Sequence, residues 1–185
     1  MNICIFPGTF NPIHIAHLKM AQIAILKYGF EKIIFIPAYI PPHKKIDEKM
    51  AKHRFNMVKL ATSNNSRFEV SDIEYKTECK SYTIYTVKKF RNMYGIKGRL
   101  NMIIGTDAFS KIKTWYKTDE LKDLVHFIVF PRGEDVIKED DFIGYSFEQV
   151  ETEKTDISST EIRNEHANGT VKEVEEYIAE NELYH

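Results

Sequence analysis

A strand, a glycine turn and a helix follow one another at the start of the chain, and this order constrains the fold more than any other feature. The apolar run 3–6 predicts a short buried strand, and the run 18–26 predicts a helix. Gly8 lies between them, where the backbone must turn closely. Unpaired N–H groups and the positive dipole end of a helix start suit a phosphate. The sequence therefore predicts an anion site at this junction.

Two histidines, His14 and His17, lie three residues apart at the start of the predicted helix. Residues at this spacing share a helix face, so both imidazoles could donate to one anionic group. A pair of accidental surface histidines or a metal pair are the alternatives, because short motifs carry a real false-positive risk. The position directly after a strand and a glycine turn favours the phosphate interpretation.

The rest of the chain repeats this alternation of strands and helices. Gly29 ends the first helix, and the β-branched run 32–36 predicts a second strand, which makes a right-handed crossover and implies a parallel sheet. Three further strands are predicted at 67–71, which suits a sheet edge, at 99–104 and at 126–130. We therefore predict one Rossmann-like, doubly wound α/β domain over residues 1–185, with a parallel sheet of about five strands.

A second strand-glycine-helix junction follows the strand at 99–104, at Gly105 and Asp107. In a doubly wound sheet the two junctions meet where the strand order reverses, so we expect both residues in the same crevice as Gly8 and His17. A helix-capping role for Asp107 is as plausible as a contact with a ribose or adenosine.

Helical spacing also predicts helices over 50–61, from Ser81 as the N-cap to about 94–95, and over 170–180. We interpret Arg54, in the first of these, as a solvated residue, with a phosphate partner as the alternative. The acidic segment 134–145 is interpreted as a surface insertion.

Composition limits the possible functions. The net charge of −1 lacks the basic excess of a protein that grips a nucleic-acid backbone, and no apolar run approaches the length of about 20 residues that spans a bilayer. The chain starts directly in a strand, without the features of a signal peptide. Cys4 and Cys79 lack metal-ligand spacing, so we expect reduced thiols in a cytoplasmic protein. Oligomer formation is possible but cannot be inferred from the sequence.

The run Phe6-Pro-Gly-Thr-Phe-Asn-Pro-Ile-His-Ile-Ala-His-Leu18 resembles the signature of the HxGH nucleotidyltransferases, which transfer a nucleotidyl group to a phosphate. It is most similar to the signature of bacterial nicotinate mononucleotide adenylyltransferases, Gly-Gly-Thr-Phe-Asp-Pro-Ile-His-x-Gly-His-Leu. Pro7, Asn11 and Ala16 depart from that pattern. Asn11 can still cap a helix through its side-chain oxygen, whereas Ala16 places a methyl group where the backbone is expected to approach a nucleotide.

Four more motifs of the same subfamily follow in the expected order between residues 6 and 163. Pro-x-x-x-Pro-Pro-His-Lys occupies 37–44 and ends in Lys44, which the resemblance places at the phosphates. Ser-Tyr-Thr-Ile-Tyr-Thr-Val at 81–87 resembles the helix start that lines the pyridine pocket, with Tyr85 in place of aspartate and expected on the outward side. The pair Trp115-Tyr116 resembles one that contacts the nicotinate ring. Ser-Ser-Thr-Glu-Ile-Arg at 158–163 resembles the motif that holds the β- and γ-phosphates, and it carries a capping-box pattern from Ser158 to Glu161.

The resemblance implies adenylyl transfer from ATP to nicotinate mononucleotide in NAD biosynthesis, giving deamido-NAD and pyrophosphate. Mg²⁺ would be bound through the ATP phosphates, with no metal site made by the protein. The alternatives are phosphopantetheine adenylyltransferase activity and a non-catalytic nucleotide sensor. The implied site residues are, as catalytic residues, His14, His17 and Lys44; at ATP, Gly8, Thr9, Phe10, Gly105, Asp107, Ser159, Thr160 and Arg163; and at the mononucleotide, Ser81, Tyr82, Thr83, Thr86, Trp115, Tyr116 and Arg132.

Overall fold

A single parallel sheet organises the molecule. The computed structural model describes residues 1–42, 47–76, 81–153, 157–165 and 169–184. The strands in these ranges are β1 (Ile3–Gly8), β2 (Lys32–Pro37), β3 (Phe68–Val70), β4 (Leu100–Gly105), β5 (Val125–Phe130) and β6 (Ser146–Gln149). They lie in the order β3-β2-β1-β4-β5-β6, and every neighbouring pair is parallel. The predicted doubly wound α/β fold is confirmed, and β3 is an edge strand as expected.

Helices cover both faces of the sheet. They are α1 (Ile15–Tyr28), α2 (Met50–Thr62), α3 (Thr83–Met93), α4 (Thr106–Phe109), α5 (Thr118–Leu124), α6 (Ser159–Glu165) and α7 (Lys172–Glu180). The predicted end of α1 is confirmed, because Gly29 adopts a left-handed conformation with φ 67° and donates to the carbonyl of Ile25. The start of α3 differs by one residue from the prediction. Tyr82 is the N-cap, and the Ser81 hydroxyl instead accepts from the N–H of Tyr39 at 3.0 Å.

Alternation along the strands sorts the core into two clusters. In β1, Ile3 and Ile5 face the cluster that packs against α3, α4 and α5, whereas Cys4 and Phe6 face the cluster that packs against α1, α2 and α7. Parallel strands buried on both faces explain why these segments read as continuous apolar runs. Cys4 is a free buried thiol, and burial raises its pKa far above the ordinary value. Cys79 lies outside the described residues.

The sixth strand corrects the expected number of strands. Residues 146–149 read Ser-Phe-Glu-Gln, which is too short and polar to signal a strand, but their backbone pairs with β5 from His126 to Val129. Main-chain pairing at a sheet edge needs no apolar side chain on the outer face, so the pairing could not be predicted from the sequence.

Among the described residues, no helix is both long enough and apolar enough to span a membrane.

Candidate active site

Two cavities meet at the carboxyl ends of β1 and β4, where the strand order reverses. The larger cavity, which we call the phosphate cleft, has a volume of about 1010 Å³, and the smaller, which we call the ring pocket, of about 240 Å³. The residues that line both are Phe6, Pro7, Gly8, Thr9 and Gly105. The predicted meeting of the two glycine junctions is confirmed, and such a crevice is where open α/β sheets bind ligands.

Both glycines at this junction are required by space. A Cβ on Gly8 would lie 2.8 Å from the Phe10 ring, and one on Gly105 would lie 2.7 Å from Asp107 Oδ1. Any side chain at either position would therefore displace a wall of the site. Asp107 lies in the first turn of α4 and is not its N-cap, which is Gly105. Its Oδ1 accepts from the N–H of Ala108 at 2.9 Å, and its side chain also lines the phosphate cleft. The expected contact of Asp107 with a ribose or adenosine stays a prediction.

His17 lies in the wall of the phosphate cleft, on the first turn of α1. Its Nδ1 accepts from the backbone N–H of His14 at 3.1 Å, which assigns the proton of the neutral ring to Nε2. Edge-on contacts with the rings of Phe6 and Phe10 hold the imidazole plane. His17 is therefore a fixed N–H donor at a helix start, which is the arrangement that suits an anion.

His14 occupies a different environment from the one expected. It is fully buried, lines neither cavity, and stacks on His17 with ring centroids 3.7 Å apart. Its Nε2 lies 3.3 Å from Nη2 of Arg132, and because a guanidinium can only donate, Nε2 accepts. Burial, followed by the nearby charge of Arg132, lowers the pKa of His14 to about 3. In this conformation His14 is a neutral support for Arg132 and His17 and does not point at a ligand in the cleft.

Arg132, predicted to bind the mononucleotide, lies on the phosphate side of the site. It lines the phosphate cleft and not the ring pocket, and its Nε lies 4.0 Å from Asp107 Oδ2. Its backbone N–H donates to Thr106 Oγ1 at 2.8 Å, which fixes the end of β5 against α4. Its cation therefore belongs with the phosphate-side residues, because β5 ends on the far side of β4 from the ring pocket.

The start of α6 forms the opposite wall of the phosphate cleft. The predicted capping box is confirmed, since Ser158 Oγ accepts from the N–H of Glu161 and Glu161 Oε2 accepts from the N–H of Ser158. Arg163 Nη1 donates to the carbonyl of Asn11 at 2.6 Å, and Ser159 Oγ donates to the carbonyl of Pro12 at 2.8 Å. Together with Thr160, these residues line the cleft. The C-terminal motif is thus bound directly to the N-terminal signature loop.

Two departures from the family signature are explained by their surroundings. Asn11 does not cap α1, for which His14 is the N-cap; its Oδ1 accepts from the Tyr184 hydroxyl at 2.5 Å. Tyr184 also lines the cleft, and it could not be predicted there because it lies 173 positions away from Asn11 in the sequence. Ala16 is buried and lines a separate small cavity beside Phe130 instead of the phosphate cleft, so its methyl group does not obstruct the cleft.

The ring pocket is formed by the start of α3 and the segment before α5. The predicted residues that line it are Ser81, Tyr82, Thr83, Trp115 and Tyr116. Tyr116 packs against Tyr82 with centroids 4.6 Å apart, and Tyr85, which is 42% exposed as expected, lies beside it. Thr86 is separate from these residues. Its side chain is buried, lies outside the lining, and donates to Glu74 Oε2 at 3.0 Å.

Glu74 is a buried carboxyl group in the wall of the ring pocket that sequence reasoning missed. Burial raises its pKa to about 7, while hydrogen bonds from Ser81 and Thr86 and the charges of Arg54 and Lys89 act in the opposite direction. A carboxyl group that titrates near neutrality inside a pocket marks a functional site. Its only sequence signal was its position shortly before the motif at 81–87.

The interpretation of Arg54 as a solvated residue is wrong, because the residue is 0% exposed. Its guanidinium donates to the carbonyl oxygens of Thr9, Ala38 and Tyr39. The helical spacing had already placed it on the same face as the buried Met57 and Val58. Lys44, the third proposed catalytic residue, lies outside the described residues.

The comparisons with known proteins agree with this architecture. A family model described as cytidylyltransferase-like matches residues 5–165. The chain belongs to this family. A probable nicotinate-nucleotide adenylyltransferase of Caldicellulosiruptor saccharolyticus is 36% identical, with 100% of this chain and 99% of that protein covered. Another protein so described, from Fusobacterium nucleatum, is 40% identical, with 89% of this chain and 86% of that protein covered.

Two solved structures share the fold. The Plasmodium falciparum nicotinic acid mononucleotide adenylyltransferase complexed with NaAD superposes with a TM-score of 0.79 and 22% identity, covering 99% of this chain and 97% of that one. A structure from Vibrio parahaemolyticus described as a putative nicotinate-nucleotide adenylyltransferase gives a TM-score of 0.68 at 21% identity, covering 100% and 96%. At these identities the likeness establishes the fold alone.

Proposed function

We propose that this protein is a nicotinate-nucleotide adenylyltransferase, which transfers the adenylyl group of ATP to nicotinate mononucleotide in NAD biosynthesis. The observation that carries the proposal is the pair of cavities that join at Gly8, Thr9 and Gly105. One has helix starts and cations in its wall, and the other has aromatic rings. A dinucleotide such as deamido-NAD has the same division, because its phosphates lie between an adenosine and a pyridine nucleoside.

In the proposed reaction, the phosphate of the mononucleotide attacks the α-phosphorus of ATP. A P–O bond forms as the bond to the β-phosphate breaks, and pyrophosphate leaves with the bonding electrons. The attacking phosphate is already anionic at neutral pH, so no side chain is required as a base or a nucleophile. The protein acts by alignment and by stabilising charge in the transition state.

The phosphate cleft supplies the groups for that stabilisation. His17 Nε2–H, at the N-terminus of α1, is the proposed donor to the α-phosphoryl oxygens, and Lys44 is proposed to act on the same charge. Ser159, Thr160 and Arg163, at the start of α6, are proposed to hold the leaving pyrophosphate. His14 contributes as a positioning residue, because its neutral ring holds Arg132 and stacks on His17.

The ring pocket is proposed to hold the nicotinate ring. Trp115 and Tyr116 offer aromatic faces for stacking, and the N–H groups at the start of α3, beside Thr83, and around Tyr116 are the proposed donors to the carboxylate. An amide would present its own N–H₂ to these donors. A mismatched donor pair in a buried site costs about 1–3 kcal/mol, or roughly ten- to a hundredfold in selectivity.

Mg²⁺ bound together with ATP would neutralise charge on the phosphates. Mg²⁺ in nucleotide sites keeps several waters and takes one or two carboxylates beside the substrate phosphates. Asp107, a half-exposed carboxylate in the wall of the cleft, is suited to such an outer position. Among the described residues there is no cluster of three side chains that could hold a metal ion without the nucleotide.

Pyrophosphate release from ATP is the direct test, measured with nicotinate mononucleotide, nicotinamide mononucleotide or phosphopantetheine as the acceptor. We expect turnover with both mononucleotides, with kcat/KM for the acid roughly ten- to a hundredfold higher. Turnover with phosphopantetheine alone would favour the alternative transferase. ATP binding without turnover of any acceptor would favour a non-catalytic sensor.

A further inference from the structure

Arg54 is a buried cation whose partners are all in the main chain. Its Nη1 donates to the carbonyl oxygens of Thr9 at 2.9 Å and of Ala38 at 2.6 Å, and its Nη2 donates to that of Tyr39 at 2.9 Å. Burying a charge is costly unless hydrogen bonds and opposite charges compensate. Here the compensation comes from the three carbonyls that the guanidinium holds and from the nearby Glu74.

The held carbonyls belong to two separate loops. Thr9 lies in the loop after β1, which carries the signature and lines both cavities. Ala38 and Tyr39 lie in the loop after β2, which leads to Pro41 and Pro42 in the wall of the ring pocket. One planar guanidinium therefore joins the floor of the phosphate cleft to the entrance of the ring pocket, as a fork of fixed geometry can and a single ammonium cannot.

The planar peptide geometry also sets the direction of the N–H groups that follow these carbonyls. In a trans peptide the C=O of one residue and the N–H of the next point in opposite directions. The loop after β2 obeys this relation, since its carbonyls point to Arg54 while the N–H groups of Tyr39 and Ile40 point to Ser81 Oγ, at 3.0 and 3.4 Å. By the same relation, the Thr9 carbonyl on Arg54 directs the N–H of Phe10 to the opposite side.

Phe10 is itself held in an unusual conformation. Its φ is 50°, in the left-handed region that favours glycine, and it lines the phosphate cleft beside Thr9. A non-glycine residue stays in this region only where its surroundings impose it. Here the surroundings are Arg54 on the Thr9 carbonyl and the packing of the Phe10 ring against Phe6 and Phe35.

We propose that Arg54 is a positioning residue, which turns the Thr9–Phe10 peptide so that the Phe10 N–H faces the bound phosphates and ties the two loops together. The inference rests on the proposed function, because it assigns Arg54 a part in placing ATP for transfer. The two loops also meet where the N–H of Ala38 donates to the carbonyl of Gly8 at 2.9 Å. Arg54 adds the hydrogen bond to the Thr9 carbonyl. The loop after β2 has a second anchor in Ser81, whose hydroxyl is in turn bonded to Glu74.

The test compares Arg54→Lys with Met57→Ala, a matched control in the same helix. Met57 is fully buried in the core and lines neither cavity, so its truncation lowers Tm without touching the loops. At a temperature where both variants are folded by circular dichroism, we expect Arg54→Lys to lose about 10- to 100-fold in kcat, as for a misplaced reacting group. We also expect its KM for ATP to rise more than its KM for the mononucleotide. Equal kcat and KM values in the two variants would make Arg54 a purely structural residue and overturn the proposal.

A second measurement holds even if Arg54→Lys does not fold. In wild-type protein labelled with ¹⁵N-phenylalanine, saturating ATP should shift the amide resonance of Phe10, because its N–H gains a phosphate acceptor. A Phe10 amide that does not respond to bound ATP would overturn the proposal. Wild-type protein that binds ATP and shifts Phe10 but transfers no adenylyl group would reject the proposed function and leave the role of Arg54 standing. A protein that binds no ATP would overturn both.

Discussion

The phosphate cleft and the ring pocket adjoin each other but are formed by different kinds of groups. The cleft takes its donors from helix starts, from His17 on α1 and from Arg163 on α6, and its floor from glycine junctions. The ring pocket takes its walls from aromatic side chains on α3 and before α5. The proposed phosphate recognition thus depends on where helix starts and loops place their donors, whereas the proposed ring recognition depends on particular aromatic side chains.

This difference predicts different responses to mutation. Charged and hydrogen-bonding groups that meet transition-state charge act on kcat, and their loss is large because they are oriented in advance. Aromatic walls act mainly on substrate binding, and each ring contributes a modest share. Substitutions in the cleft should therefore have larger effects, on kcat or on KM for ATP, than substitutions in the pocket, which should act on binding of the mononucleotide.

The largest effect is expected for His17→Ala. Loss of a preorganised donor should lower kcat by about 10²–10³ while the fold stays intact. Steady-state kinetics and circular dichroism measure the two quantities. His126→Ala is the matched control, since His126 bonds to Ser146 and Glu148 and lines neither cavity. A folded His17→Ala protein with nearly normal kcat would remove His17 from the catalytic assignment.

Arg163→Ala should raise KM for ATP by roughly 10-fold or more and change KM for the mononucleotide little, because charge-assisted hydrogen bonds contribute about 1.5–3 kcal/mol each. Varying each substrate at a saturating level of the other separates the two constants. Arg91→Ala is the control, as Arg91 also donates to main-chain carbonyls, of Lys97 and Gly98, but away from the cleft. Equal changes in both KM values would place Arg163 outside the pyrophosphate site.

The comparison also explains what the sequence could predict. Elements marked by local sequence patterns could be predicted. The strands with apolar runs, the C-cap at Gly29 and the capping box at Ser158 are confirmed. The meeting of Gly8 and Gly105 followed from topology alone. The outward position of Tyr85 followed from helical spacing.

Contacts between residues that lie far apart in the sequence could not be predicted from it. Arg54 looked like a solvated helix residue because charged side chains are rarely buried, and only the carbonyls of two distant loops make its burial possible. Arg132 was predicted at the mononucleotide, but its place in the phosphate cleft, at the end of β5, depends on the strand order, which the sequence did not predict. Tyr184 meets Asn11 across nearly the whole chain length.

Trp115→Ala tests the aromatic pocket. We expect the mononucleotide to bind about 3- to 10-fold more weakly through lost stacking, with ATP binding nearly unchanged. Calorimetric titration of each ligand gives both values. Tyr145→Ala provides the control, because it removes a half-buried ring from the same core cluster without touching the pocket. A complex in which Trp115 lies away from the pyridine ring would contradict the assignment, as would equal loss of affinity for both ligands.

The smallest effect is expected on thermal stability. The stabilising contributions of Glu74 in the ring pocket and of His14 beside the phosphate cleft should depend on pH in opposite directions. In the ring pocket the pKa of Glu74 is raised from 4.5 to about 7, so the folded protein binds this proton more tightly than the unfolded chain. Its stabilising contribution is complete below pH 4.5 and is lost as the pH rises through 7. Glu74→Gln mimics the protonated form at every pH. We therefore expect its Tm, relative to wild type, to rise by about 2–4 °C between pH 5 and pH 8.

Beside the phosphate cleft, the sign is reversed. The pKa of His14 falls from 6.5 to about 3, so its contribution is complete above pH 6.5 and is lost as the pH falls toward 3. His14→Asn keeps a neutral polar group, and its Tm should gain on wild type only on the acid side. Thermal melts of the three proteins from pH 4 to pH 8 measure both trends. Parallel curves for Glu74→Gln and wild type above pH 5 would show that Glu74 is ionised throughout. Glu74 could then not be a neutral side chain in the wall of the proposed nicotinate site.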